Sequence, residues 1–226
     1  KKIRAKSKVP IIWGGVHASI LPEECLEHCD YVVRGEGEDT IVELLDALEE
    51  NRDVSAIMGI SYKTADGKMV HNPYREFIKD FDDKVDTSLI HGYGPLSKNV
   101  DPMEAFVRHG RVHLQPIQAS RGCPYNCRFC MCPREFGRTY RTRDIDTILA
   151  EIDEGLTRLK NNVFIFVDND FALDRKRTKV LMSRIIERFG RDTLNLVGFT
   201  RPEVGEDPEL LELMRDAGFK VLVLGI

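Results

Sequence analysis

Along residues 111–226, short apolar runs alternate with longer stretches whose apolar positions recur every three or four residues. "VHLQPIQAS" (112–120), "NVFIFVD" (162–168), "TLNLVGF" (193–199) and "KVLVLGI" (220–226) read as strands. Between the first two, residues 144–160 place Ile145, Ile148, Leu149, Ile152, Leu156 and Leu159 on one helical face. Asp174 opens a second helix that ends near Gly190. "DPELLELMRDAG" (207–218) carries both end signals, with Asp207 as N-cap, Pro208 in the first turn and Gly218 just past the end. Strand followed by helix, repeated in one direction, predicts right-handed crossovers and a parallel sheet or barrel. Ligands of such sheets gather at the carboxyl ends of the strands. A cysteine-rich loop follows the first strand there, Asp168-Asn169-Asp170 the second, Arg201 the third and Gly225 the fourth.

The first 54 residues show a looser version of the same alternation. "VPIIW" (9–13) runs into Gly14-Gly15. "YVV" (31–33) leads through "RGEGEDT" to "IVELLDALEE" (41–50), where Ile41, Leu44, Leu45 and Leu48 follow helical spacing. These are the expected last parallel strands of an open α/β sheet. Residues 55–110 read as an interdomain linker that contains a β-hairpin, "IMGISYK" and "KMVHN" around the turn "TADG". Polar, proline-punctuated sequence follows it. The expected division is 1–54, 55–110 and 111–226.

Composition narrows the class. Hydrophobic residues are 42% and charged residues 31% of 226, ordinary for a soluble globular protein. The net charge of −4 supplies no basic field for nonspecific nucleic-acid binding. The longest apolar runs, such as "VFIFV", are too short to span a bilayer. "KKIRAKSKVP" carries no export signal, so a reducing, cytoplasmic compartment is expected.

Four of the six cysteines crowd into "RGCPYNCRFCMCP" (121–133); Cys25 and Cys29 sit in "EECLEHC". Neighbours this close would make strained disulfides, so metal is the better expectation. A closed zinc site takes four ligands, usually as two separated pairs, and no second Cys-x2-Cys follows. Cys123, Cys127 and Cys130 supply three thiolates where a complete four-iron cluster wants four, so a cubane here would leave one iron open. Cys132 could be a fourth ligand of an electron carrier, but one residue from Cys130 its geometry is awkward, and a spectator thiol is the expectation.

"SRGCPYNCRFC", with this spacing at the end of a strand, resembles the signature of the radical S-adenosylmethionine (SAM) superfamily. The resemblance implies a [4Fe-4S] cluster on Cys123, Cys127 and Cys130. Its open iron would chelate the amino and carboxylate groups of SAM, and reductive cleavage of SAM would yield a 5′-deoxyadenosyl radical. Phe129 matches the aromatic that packs near the adenine. Asp168, Asn169 and Asp170 lie where the family presents polar groups to the SAM amino group. Arg201 would pair with the SAM carboxylate. Gly225-Ile226 is similar to the start of a ribose-contacting stretch.

"WGGVHAS", "YVVRGEGEDTIVELL" and "FDDKVDTSLI" resemble the end of the cobalamin-binding domain, and its linker, in B12-type members. Gly14, Gly15, His17, Gly35, Glu36 and Gly37 are the implied cobalamin neighbours, glycines permitting close backbone approach. The Asp-x-His-x2-Gly signature of that domain is absent. The implied fold class is α/β, the C-terminal part of a flavodoxin-like (Rossmann-like) domain followed by a partial parallel (β/α) radical SAM barrel. Two partial domains are expected to expose sheet edges and to self-associate.

The implied activity is methylation or another radical C–H transformation, of methyltransferase or cyclase type, on a small-molecule or lipid-like substrate. A flavodoxin- or ferredoxin-type electron donor is implied with it. The alternative is a non-catalytic zinc or iron–sulfur module. Cys25 and Cys29 are expected as core thiols beside a surface His28. Of the arginines at 121, 128, 134, 138, 141 and 143, some would offset cluster charge and most would form a solvated face. Asp168 and Asp170 could instead cap the next helix.

Overall fold

In the computed structural model, which describes residues 3–82 and 115–225, the chain forms two compact units. One comprises Lys1–Lys79 with Gly122–Thr139, the other Asp80–Arg121 with Tyr140–Ile226. Residues 83–114 of the expected linker and first strand, and Ile226, lie outside the described residues.

In the first unit, β1 (Ile12–Trp13) and β2 (Tyr31–Val33) are parallel, Ile12 opposite Tyr31. α1 (Val16–Ile20) and α2 (Pro22–Leu26) connect them. Successive strand side chains point to opposite faces. Val32 therefore packs with Ala18, Cys25, Leu26 and Cys29, while Val33 packs with Leu44, Ala47, Ile57 and Ile60. α3 (Glu38–Glu49) carries Leu44 and Ala47 inward. Leu45, expected on that stripe, is 50% exposed. It lies a quarter turn past Leu44, and Ala47, three residues on, takes the inward place. The hairpin β3 (Ile60–Lys63) and β4 (Met69–His71) pairs antiparallel with β2, giving the sheet order β1-β2-β3-β4. Backbone ladder bonds thus tie this part of the expected linker into the sheet.

The second unit is built on four parallel strands in the order β10-β9-β8-β5. They are β5 (Gln115–Ile117), β8 (Val163–Phe166), β9 (Asn195–Thr200) and β10 (Phe219–Leu224). A short antiparallel pair, β6 (Ser120–Arg121) and β7 (Arg141–Thr142), follows β5. α5 (Ile145–Thr157), α6 (Arg175–Phe189) and α7 (Pro208–Ala217) precede β8, β9 and β10 respectively. Strand neighbours in chain order with a helix in each crossing are the arrangement of a (β/α) barrel segment.

The helix ends are where the polar pattern puts them. Asp144 accepts from Asp146 and Thr147 N–H, Asp174 from Arg177 N–H and Asp207 from Leu210 N–H. Gly218, at φ +104°, closes α7 in the left-handed conformation. The core runs from Ile117 through Ile148, Ile152, Phe164, Phe166, Met182 and Leu196 to Met214. Phe166 and Phe219 stack with centroids 5.9 Å apart.

Candidate functional site

The cysteine loop leaves the second unit after Arg121 and returns at Tyr140, β6 and β7 pairing at its base. By packing, residues 122–139 belong with the first unit, where Gly137 lies against Phe77 and α4 (Cys132–Glu135) packs on α1. At Gly122 (φ +83°) a Cβ would stand 2.1 Å from the Thr139 carbonyl oxygen, so the two arms of the loop touch where no side chain fits. Gly122→Ala is expected to cost roughly 1–3 kcal/mol in strain. It should show as faster tryptic cleavage at the exposed Arg128, Arg134 and Arg138.

Accessibility separates the six cysteines, none of them in a disulfide, into two sets. Cys127 and Cys130 are exposed and Cys123 is half-buried. Cys130 N–H donates to the Cys127 carbonyl at 3.0 Å, turning the loop between them. Cys132 is buried; burial, with Cys123 and Cys130 nearby, pushes its thiol up to about 12. Cys25 and Cys29 lie in the core beside the exposed His28, and burial raises Cys29 to about 11. Among the described residues no three His, Cys, Asp or Glu side chains converge as a metal-holding group. The motif cysteines share one loop without being gathered to one centre. Phe129, between the last two, is 79% exposed.

In the second unit the carboxyl ends of the strands are tied together by hydrogen bonds. Asp168 is 3% exposed; its Oδ2 accepts from Ala119 N–H at 3.1 Å and its Oδ1 from the Ser120 hydroxyl. Asp170 accepts from Thr200 Oγ1 at 2.9 Å, and Gly225 N–H donates to the Thr200 carbonyl at 3.3 Å. Neither aspartate caps α6, since Asp174 does that. Asn169 is exposed, and Arg201 is half-buried and paired with Glu203.

Burial pushes the Asp168 carboxyl up to about 6, against the opposing pull of its Ser120 and Ala119 bonds and of Arg177. The folded chain therefore keeps a proton that the unfolded chain releases between about pH 4 and about pH 6. Its contribution to stability is present at low pH and lost as pH rises through that window. Relative to Asp168→Asn, which has no such proton, the natural chain should lose roughly 1–3 kcal/mol between about pH 4 and about pH 7. Urea midpoints of the two proteins across that range measure the difference.

The arginines are less uniform than a solvated face. Arg143 is 6% exposed; it grips Glu151 through both terminal nitrogens (3.1 and 2.7 Å) and donates to the Gln118 carbonyl at 3.1 Å. Its acid, Glu151, lies on α5, outside the arginine-rich stretch 121–143. Arg121 lies 4.6 Å and Arg141 5.9 Å from the Phe81 ring centre. Arg128, Arg134 and Arg138 are exposed as expected.

The first unit brings its two glycine turns together through a residue the sequence did not single out. The Ser19 hydroxyl donates to the Gly15 carbonyl at 3.0 Å and accepts from Gly35 N–H at 2.9 Å. Gly15 and Gly35 have φ of +87° and +73°, and a Cβ on Gly14 would meet only Val33, at 3.5 Å and beyond. A Cβ on Gly37 would press on Val33 at 3.1 Å. Glu36 is buried, accepting from Ile78 N–H at 2.7 Å. His17 is exposed, 3.6 Å from Glu24. Beside this turn Arg34 is buried beneath Tyr74, donating to the Ile60 carbonyl at 3.1 Å and to that of Asn72.

Known proteins share this arrangement. Residues 117–226 match the model of the radical SAM superfamily, and residues 1–45 that of the B12 binding domain. An uncharacterized methyltransferase of Pyrococcus horikoshii is 34% identical over 77% of this chain. The anaerobic magnesium-protoporphyrin IX monomethyl ester cyclase of Rubrivivax gelatinosus is 30% identical over 95%. A solved structure of the radical S-adenosylmethionine methyltransferase TsrM from Kitasatospora setae, with tryptophan and a SAM analog bound, superposes with a TM-score of 0.73 at 26% identity over 99% of this chain. Another TsrM structure holds cobalamin and a [4Fe-4S] cluster. The chain spans 36%, 38% and 42% of the lengths of the methyltransferase, the cyclase and TsrM. These matches favour an enzyme over the zinc or electron-transfer module that the thiols alone left open. No helix among the described residues is long and apolar enough to cross a membrane. Residues 117–226 belong to the radical SAM superfamily, and residues 1–45 to the B12-binding domain family.

Proposed function

We propose that the chain is the cofactor-carrying part of a B12-dependent radical SAM enzyme, a methyltransferase or cyclase acting on a small-molecule or lipid-like substrate. The observation that carries it is the division of the cysteines. The three at motif spacing are the accessible ones, and Cys25, Cys29 and Cys132 are buried with raised thiol pKa values. Thiolates are the metal-binding form, so accessible thiols on one loop suit iron better than buried neutral ones. The donor set fits the cluster in number too, three thiolates leaving one iron for SAM. Gathering them would be coupled to metal binding, as ligand sets often are.

When bound, cluster, SAM and cobalamin would together supply reductive SAM cleavage and radical C–H chemistry. Cys123, Cys127 and Cys130 hold the cluster. Phe129, presented bare to solvent, offers a ring to the adenine. Arg201 exchanges Glu203 for the SAM carboxylate, a swap of one charge-assisted pair for another. Asn169, Asp170 and the Gly225 backbone contribute polar contacts beside it. Gly14, Gly15, Gly35 and Gly37 give cobalamin a side-chain-free edge, with His17 on its rim and Glu36 holding the turn from within. The electron donor is a flavodoxin or ferredoxin type of protein. Six cysteines with no disulfide among them fit a reducing cytoplasm.

The test is metal content. Under anaerobic competition between zinc and iron with sulfide, the chain should take up iron and sulfide and then cleave SAM when reduced. Zinc binding without iron–sulfide uptake would overturn the reading.

A further inference from the structure

We propose that Asp168 is a positioning residue for the cysteine loop, acting through Ala119 and Ser120 at the loop's base and not on SAM. The inference rests on the reading that this loop holds the cluster, and it gives a different role to a residue that the family resemblance would set against the SAM amino group. Its carboxylate faces inward at 3% exposure, with one oxygen on the Ala119 N–H and the other on the Ser120 hydroxyl. Ser120 is itself 1% exposed and lies three residues before Cys123.

The returning arm is tied to the same point. Tyr140 is hydrogen-bonded to Ser120, and the Arg143 carbonyl accepts from Arg177 Nη2 at 2.5 Å. One buried carboxylate therefore anchors the strand end from which the loop departs and, through Ser120, the tyrosine at which it returns. A ligand ammonium reaching Asp168 would have to break into this set. Asn169 and Asp170, next in the chain, leave a polar surface without that cost: Asn169 is exposed, and Asp170 spends a bond on Thr200.

Ionised and buried, the carboxylate is kept against its desolvation by the bonds it accepts. What the loop base requires from it is hydrogen bonding at two atoms and not charge. Asparagine can meet that requirement, its carbonyl accepting from Ala119 N–H and its amide donating to the Ser120 oxygen, because a hydroxyl serves as donor or acceptor. Alanine can do neither.

The test uses the full chain as Asp168→Asn, Asp168→Ala and Ser120→Ala. Amide hydrogen exchange at Ala119 and Ser120, referred to core amides of β9, is read before any metal is added. Asp168→Ala should speed exchange at these two positions about tenfold relative to β9, the loss of one buried hydrogen bond, with Asp168→Asn within about threefold of the natural chain. Ser120→Ala should raise exchange while leaving the Ala119 bond partly protective. After anaerobic loading, Asp168→Asn should bind SAM per cluster within about threefold of the natural chain. Unchanged exchange in Asp168→Ala would overturn the proposal. So would Asp168→Asn with a protected base but SAM affinity down tenfold or more, which would make Asp168 a SAM contact. If no protein loads a cluster yet base protection follows residue 168, the functional reading fails and the anchoring role of Asp168 at the loop base stands.

Discussion

Cys127→Ala should abolish cluster assembly. Reconstituted with iron and sulfide, the variant is expected to lose the broad visible absorption of the cluster, with SAM cleavage falling to background. The argument is one of ligand number: with three thiolates in the motif and every other cysteine buried, no spare thiol can replace Cys127. Cys132 is the nearest candidate, but burial holds it as a neutral thiol and its backbone starts α4. Cys132→Ala should therefore keep the cluster and lose only packing. A Cys127→Ala protein that still loads iron and sulfide would show that Cys132 is a true ligand, and the chain would then resemble an electron carrier.

Phe164→Ala should produce the largest loss of stability. Phe164 is fully buried on β8, directly under Gly155 of α5, where a Cβ would come within 2.6 Å of its ring. The ring and the Gln115 amide oxygen, 2.3 Å from the same Cβ position, leave no room for a side chain at residue 155, so α5 itself has none there to fill the hole. Removing a buried phenylalanine costs about 3–5 kcal/mol, transfer and cavity terms together. That is a large share of the roughly 5–15 kcal/mol by which domains are stable. The urea midpoint for the second unit should fall accordingly with little change in slope. A loss below about 1 kcal/mol would mean that α5 does not pack on the sheet as described.

Much of this was readable in the sequence because local chemistry and global fold agree in the second unit. The strands from 162 onward and all three helices appear where periodicity and caps put them, since each Asp N-cap and Gly218 answers a purely local need. The hairpin at 60–71 was readable as a hairpin but not as part of the first sheet, because strand pairing partners are set by tertiary packing. Leu45 departs from its expected place for a related reason: spacing gives a stripe its period but not the angle at which its edge meets solvent.

In the candidate site, the cysteine spacing is legible because it is a purely local pattern, and the fold keeps Cys123, Cys127 and Cys130 on one accessible loop. Long-range bonds left no such trace. Arg143 finds its acid in Glu151, Ser19 joins two glycine turns, and Asp168 reaches back to Ser120 across 48 residues. Each is a contact between ordinary polar residues that only the fold brings together. "SRG" and "DND" hinted at importance, but nothing in either indicated that one holds the other.

The central claim is an iron–sulfur cluster with one iron open to SAM. The most direct measurement is electron paramagnetic resonance of the anaerobically reconstituted, reduced chain, with and without SAM. The account predicts a four-iron signal whose shape changes when SAM is added. A reduced cluster whose spectrum is the same with and without SAM would contradict it.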